Sequence, residues 1–305
     1  MSPNRDGLSH ASKLERRNMN FRQLPWFDYG GRFAPLKAAV FMGLFVPAIW
    51  TAASYALDRL GARPLTESIH QIGDWTIRFI FIALVISPAR VALQWPKLLE
   101  LRRMIGVAAC LYGLTHLSLY IVDEAFSLPL VVSEIILRIY LTIGFTALTG
   151  LIVLAWTSTD GWQRRLGARR WQKLHRIVYL IGTLAVIHYF LQSKLDEWEP
   201  TVMAGIFVWL MGCRLVSWRL GRGKLPLWTV ASLSLAAGGL TAVCEAGYYW
   251  FSLDAPFDLV LQANLTLDTG VRPAMVVFVS TFAIAVLGAI RAMFWPNKAR
   301  KPKPA

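Results

Sequence analysis

Charge is scarce in this sequence. Asp, Glu, Lys and Arg together make up 16% of its 305 residues, against about a quarter in an ordinary soluble domain. A fold solvated on all sides is excluded by that shortage. Cysteine is scarce as well: Cys110, Cys213 and Cys244 all fall in apolar stretches. They show neither C-x-x-C pairs nor the spacing of a disulfide framework, and they read as small buried hydrophobes. No G-x-G-x-x-G follows a strand and opens a helix, and the polar ends are too short for a βαβ dinucleotide-binding unit. No long-period repeat is evident. The first 32 residues hold no apolar run followed by a small-residue cleavage site, so they are expected to remain as a basic cytoplasmic arm.

Apolar residues are what the sequence has in quantity, 55% of all positions. They gather into eight segments, roughly 36–57, 74–95, 104–122, 135–156, 174–192, 200–218, 226–250 and 271–295. Most are long enough for a hydrocarbon core of about 30 Å. Trp50, Trp75, Trp95, Tyr120, Trp156, Trp228, Trp250 and Trp295 mark their ends, as an interfacial aromatic belt requires. The expected fold is an all-α polytopic membrane helix bundle. Gly150, Gly238 and Gly239 fall inside segments, where small residues let helices pack closely.

The net charge of +14 does not call for nucleic acid, because the cations sit beside membrane segments. Arg90, Lys97, Arg102 and Arg103 follow the second segment; Arg164, Arg165, Arg169, Arg170, Lys173 and Arg176 follow the fourth. Arg214, Arg219, Arg222 and Lys224 follow the sixth. The intervening loops, 58–67, 123–134, 196–199 and 254–268, are acidic or mixed. Positive charge stays on the cytoplasmic side, so both termini are expected there, which requires the even number of crossings observed. The organisation expected is a basic arm over 1–34, a six-helix core over 35–222, two additional helices over 223–296 and a basic tail over 297–305.

Five histidines remain. His10 lies in the polar arm. The other four lie in or beside membrane segments, where ionisable groups are rare and usually functional. His116 stands 13 positions past Arg103, and His188 stands 12 past Arg176. At 1.5 Å per residue both lie about 18–20 Å from the cytoplasmic edge. Two imidazoles at one depth on separate helices can clamp a haem iron from its two faces; the blander role is a hydrogen bond between helices. Zinc would ask for further Cys or carboxylate ligands at that depth. His175 lies about 20 Å deeper toward the cytoplasm, and His70 lies at the outer end of its segment. Arg78 and Lys194, toward the outer side, have two readings: partners for a haem propionate or snorkelling interfacial cations. Glu245 is expected at the outer interface.

Several runs, taken in order, resemble the ferric-reductase-like transmembrane family. They are Ser68-Ile69-His70-Gln71-Ile72-Gly73, Ile86-Ser87-Pro88-Ala89-Arg90, Leu101-Arg102-Arg103-Met104-Ile105-Gly106 and Leu114-Thr115-His116-Leu117-Ser118-Leu119-Tyr120. Arg138-Ile139-Tyr140-Leu141-Thr142-Ile143-Gly144, Ala155-Trp156-Thr157-Ser158-Thr159, Trp171 through Tyr179 and His188 through Lys194 continue the order over about residues 36–220. Within the family, the closest likeness is to the haem-binding membrane subunits of periplasmic methionine sulfoxide reductase systems. The resemblance implies b-type haem, one or two, and an FMN. It implies electrons taken from the quinone pool or a flavin reductase and delivered to a periplasmic molybdopterin enzyme, in a bacterial inner membrane. On that reading the chain is an electron-transfer subunit rather than a complete enzyme, with His116 and His188 as leading ligands and His175 at an inner haem or flavin. Ile139 and Ile72 depart from the family's usual Pro and Thr, and residues 226–295 extend beyond its short members. Other classes remain: a ferric or other transmembrane reductase, which needs a nicotinamide- and FAD-binding domain, or a His-containing proton- or metal-coupled transporter, which is often built from inverted repeats.

Charge alternation fixes a testable topology. A reporter active only in the periplasm should be active when fused after Phe126 and silent when fused after Arg165; inverted signals would overturn the orientation.

Overall fold

A computed structural model describes residues 25–27, 31–193, 197–221 and 224–295. His10, Lys194, Arg222, most of the basic arm and the basic tail lie outside the described residues. The fold is all-α: no strand is formed among the described residues, and eight helices are long and apolar enough to cross a membrane. The chain divides into two compact units, one ending at Ile72 and one beginning at Gly73.

The first unit holds α1 (Pro35–Gly43), α2 (Val46–Ala56) and the opening turns of α3 (Pro64–Ala92). The segment expected over 36–57 is thus two helices, and α2 starts with Pro at its first turn, where a missing N–H is harmless. Thr51 Oγ1 lies 3.1 Å from Gln71 Oε1 and ties α2 to α3.

The second unit holds the rest of α3, then α4 (Leu99–Asp123), α5 (Leu128–Leu137), α6 (Ile139–Trp156), α7 (Asp160–His175) and α8 (Val178–Ser193). It continues with α9 (Trp198–Arg219), α10 (Leu227–Leu253), the short α11 (Phe257–Ala263) and α12 (Pro273–Phe294). Three stretches differ from the sequence expectation. The fourth segment does not run unbroken from 135, because Arg138 is extended (φ −103°, ψ 109°) and separates α5 from α6. The Ile135 carbonyl freed by that break is met locally, since the Thr142 hydroxyl donates to it at 2.5 Å, while Arg138 O accepts the backbone N–H of Thr142 at 3.1 Å. Residues 128–134, expected in an outer loop, belong instead to the apolar helix α5. The basic stretch 164–176, expected as a loop, is mostly α7, kinked where Gly167 takes φ 71°.

A second break in hydrogen bonding lies inside α3. Pro88 has no N–H to give to Leu84 O, four residues back. Arg214 of α9 fills the gap, its Nη2 donating to Leu84 O at 2.8 Å. In hydrocarbon a freed carbonyl needs such a partner.

The additional helices pack tightly. In the second unit α10 packs on α12, and both pack on α9. Small residues make this possible: a Cβ on Gly205 of α9 would stand 2.6 Å from Val277 Cγ2. A Cβ on Gly238 would stand 3.0 Å from Phe278 Cβ and 3.3 Å from the Ala274 carbonyl, whereas one on the exposed Gly239 would meet nothing within 4 Å. Gly150 also meets a neighbour, with Ile181 Cδ1 at 3.0 Å. Packing thus accounts for Gly150 and Gly238 but not for Gly239. Cys110 and Cys213 are buried as expected, while Cys244 is exposed.

The glycine contrast is testable. Gly238→Val should destabilise the protein by about 1–3 kcal/mol, the usual range for overpacking, and Gly239→Val should leave the thermal midpoint in detergent unchanged.

Candidate functional site

Within the second unit α6 packs against both α4 and α8, so that a histidine from each flanking helix converges. The imidazoles of His116 and His188 lie 6.3 Å apart, centre to centre, with their planes at 84°. Space for the rings comes from two glycines. A Cβ on Gly73 of α3 would stand 3.0 Å from Cε1 and Nδ1 of His116, and one on Gly144 of α6 would stand 2.7 Å from the same atoms of His188. Any side chain at Gly144 would push the His188 ring out of its place. Sequence reasoning assigned neither glycine a role; Gly144 lies inside the 135–156 segment and Gly73 one residue before the 74–95 segment.

Hydrogen bonding sets the tautomer of His188. Its Nδ1 lies 2.8 Å from the backbone carbonyl of Tyr140, in the first turn of α6. A carbonyl only accepts, so Nδ1 carries the proton and Nε2 keeps its lone pair for a metal. A metal–imidazole nitrogen bond is about 2.0–2.1 Å, so two imidazoles on opposite sides of one ion place their ring centres about 6 Å apart. The observed separation fits that arrangement. Among the described residues no three His, Cys, Asp or Glu side chains converge as a metal-binding group, so the three- or four-ligand set that zinc prefers is not assembled around the pair.

The other candidates fall elsewhere. His175 ends α7, stacked on Trp171 at 3.9 Å, with Nε2 3.2 Å from Thr157 Oγ1. The Thr157 hydroxyl already donates to Val153 O at 2.8 Å, so it accepts from Nε2–H, and Nδ1 of His175 is the unprotonated nitrogen. Trp171 Nε1 donates to Thr157 O at 2.9 Å and braces the same corner. The turn at Arg176–Ile177 means that His175 and His188 do not share one helix. His70 is exposed and belongs to the first unit.

Arg78 is held by carboxylates. Its Nη2 lies 2.8 and 2.6 Å from the two oxygens of Glu199 and 3.9 Å from Asp74. Tyr189, next to His188, donates its hydroxyl to Glu199 Oε2 at 2.6 Å. This chain of contacts links α3, α8 and α9 beside the histidine pair.

Residues 72–186 match the ferric reductase like transmembrane component family. Among curated relatives, one from Rhodospirillum rubrum is 40% identical over 181 residues, covering 59% of this chain and 87% of the relative. The chain belongs to the MsrQ family. MsrQ of Caulobacter vibrioides is 37% identical over 186 residues, covering 61% of this chain and 86% of its own. MsrQ of Herminiimonas arsenicoxydans is 33% identical over 214 residues, covering 70% and 94%. Each relative is named a protein-methionine-sulfoxide reductase heme-binding subunit. No solved structure matches this chain significantly. The shares covered make this chain longer than the MsrQ proteins it matches.

The Arg78–Glu199 pair can be weighed by a double-mutant cycle. Arg78→Gln and Glu199→Gln should each lower thermal stability. The double variant should cost less than the sum, with a coupling of about 0.5–3 kcal/mol, as for residues in direct contact.

Proposed function

We propose that this protein is a membrane cytochrome subunit that holds b-type haem between His116 and His188. On this reading it relays electrons to a periplasmic molybdopterin-dependent methionine sulfoxide reductase, drawing them from the quinone pool or a cytoplasmic flavin reductase. One observation carries the reading: two imidazoles from separate membrane helices stand at the separation of a shared metal ion, 6.3 Å. The tautomer that Tyr140 O imposes on His188 and the heme-binding names of the relatives support it.

A haem there supplies reversible one-electron exchange at its iron. The protein's part is to place the ligands and exclude water. The Tyr140 carbonyl holds the His188 proton on Nδ1 and raises the basicity of Nε2. Gly73 and Gly144 leave the ring faces room, and the apolar helices keep the surroundings at low dielectric. Arg78 offers a cation on the outer side, steadied by Glu199 and Asp74. In the proposal it serves the haem propionates, with Lys194 as a further contact. His175, with its unprotonated Nδ1, is assigned to a second, inner haem or to the border of an FMN. The exposed arginines of α7, among them Arg164, Arg165, Arg169 and Arg170, would attract the flavin phosphate. The clustering of positive charge beside alternate membrane segments supports assigning these groups to the cytoplasmic side, the reductase partner to the other and the protein to the inner membrane.

The test is spectroscopic. The purified protein should show the sharp bands of low-spin haem on dithionite reduction. His116→Ala and His188→Ala should each remove most of that signal, and the double variant should be little worse, since residues acting as one unit are not additive. Gly144→Val should reduce haem content several-fold by displacing His188. A colourless wild-type protein, or a full low-spin spectrum in His116→Ala, would overturn the assignment.

A further inference from the structure

The Glu245–Arg272 pair and the Glu199–Arg78 pair hold different things. Glu245 and Arg272 meet at 2.6 Å, with side chains 6% and 21% exposed, so Glu245 is not the interfacial group its position suggested. That pair ties α10 to the start of α12, one additional helix to the other. Glu199 belongs to α9, which carries no histidine, yet its carboxylate reaches the helices on both sides of the histidine pair.

On α8, Tyr189 follows His188, and successive helix residues point about 100° apart. His188 is gripped from α6 by the Tyr140 carbonyl at 2.8 Å, and Tyr189 from α9 by Glu199 Oε2 at 2.6 Å. Hydrogen bonds on two faces leave α8 little freedom to turn about its axis. On α3, Gly73 backs the His116 ring, while Asp74 and Arg78, four residues apart, share another face. Arg78 Nη2 lies 2.8 and 2.6 Å from the two oxygens of Glu199, and Arg78 Cζ stands 5.0 Å from the centre of the Trp75 ring. One carboxylate thus grips the helix that carries His188 and the helix that backs His116. Hydrogen bonds to an ionised acceptor are about twice as strong as neutral ones. A ligand set has to be held to within about 0.5 Å and 10–20°, which asks for such a grip.

We propose that Glu199 is a positioning residue for the histidine pair. By holding Arg78 and Tyr189 together it fixes the rotation of α3 and α8, and with it the 84° angle between the two imidazole planes. The inference rests on the preceding reading, that the pair holds haem, and adds a residue that acts on the pair through its neighbours. Crossed and parallel axial rings split the iron d orbitals differently, so ferric haem reports the angle in its spectrum.

The test is low-temperature electron paramagnetic resonance of the full-length, haem-loaded protein after oxidation, following the signal that His116→Ala removes. Crossed ring planes give one strongly anisotropic low-spin feature, and parallel planes give an ordinary rhombic set. The wild type should show the first. Tyr189→Phe removes one hydroxyl, and Glu199→Gln breaks the grip on Arg78. Each should convert most of the signal to the rhombic form with haem content kept. Gly238→Val, which disturbs α10 and α12 instead, should lower the thermal midpoint and keep the wild-type feature, which separates positioning from stability. Glu199→Gln also removes a negative charge, so it should strengthen electron binding by the haem up to tenfold, about 59 mV in midpoint potential. That shift with the wild-type feature intact in both variants would leave Glu199 a charge alone and overturn the proposal. A rhombic wild type, or a Gly238→Val spectrum changed like the others, would overturn it too. If Glu199→Gln fails to fold, Tyr189→Phe decides alone. A wild type without haem would sink the preceding reading and this one together; unchanged variants of a haem-loaded protein would sink this one only.

Discussion

Every backbone carbonyl within a hydrocarbon slab must find a donor, and the second unit is organised around the places where a helix cannot supply one. Pro88 strips Leu84 of its donor, and Arg214 replaces it from another helix. The extended residue Arg138 interrupts α5 and α6, and the Thr142 hydroxyl returns to the freed Ile135 carbonyl. Two residues past Arg138, the Tyr140 carbonyl accepts from His188 and fixes which imidazole nitrogen is free. The same requirement thus reaches from the packing of the helices to the chemistry of the site.

Ile139 shows how such a break survives a change of residue. A proline at that position would bar Arg138 from the helical region by steric clash alone. Here the extended conformation is kept without it. Arg138 pairs with Glu134 on one side and donates to the Tyr140 hydroxyl at 3.1 Å on the other. Side-chain contacts therefore hold a geometry that a ring closure would otherwise impose, and the start of α6 stays where His188 needs it.

Much of this was legible in the sequence, and the part that was not has a physical explanation. The apolar segments and the equal depth of His116 and His188 follow from hydropathy and the fixed rise of a helix, which is why that pairing was readable. The split at Arg138 was hidden because isoleucine carries no breaker signal. Residues 128–134 read as loop because Glu134 and nearby acids masked a helix that is otherwise apolar. Gly73 and Gly144 carried no assignment, since the imidazoles they make room for lie on other helices. Glu245 looked interfacial because its countercharge, Arg272, comes from beyond a loop and a short helix.

The contact between Arg214 and Leu84 also bears on how the protein is made. The two residues are 130 positions apart, and chains are synthesised at about 5–20 residues per second. Leu84 is therefore translated about 7–26 s before the guanidinium that serves its open carbonyl. Throughout that interval the early helices carry an unmet polar group. A proteinaceous channel or a trapped water must shelter it until α9 arrives, which makes the proline of α3 a point at which assembly waits on the ribosome.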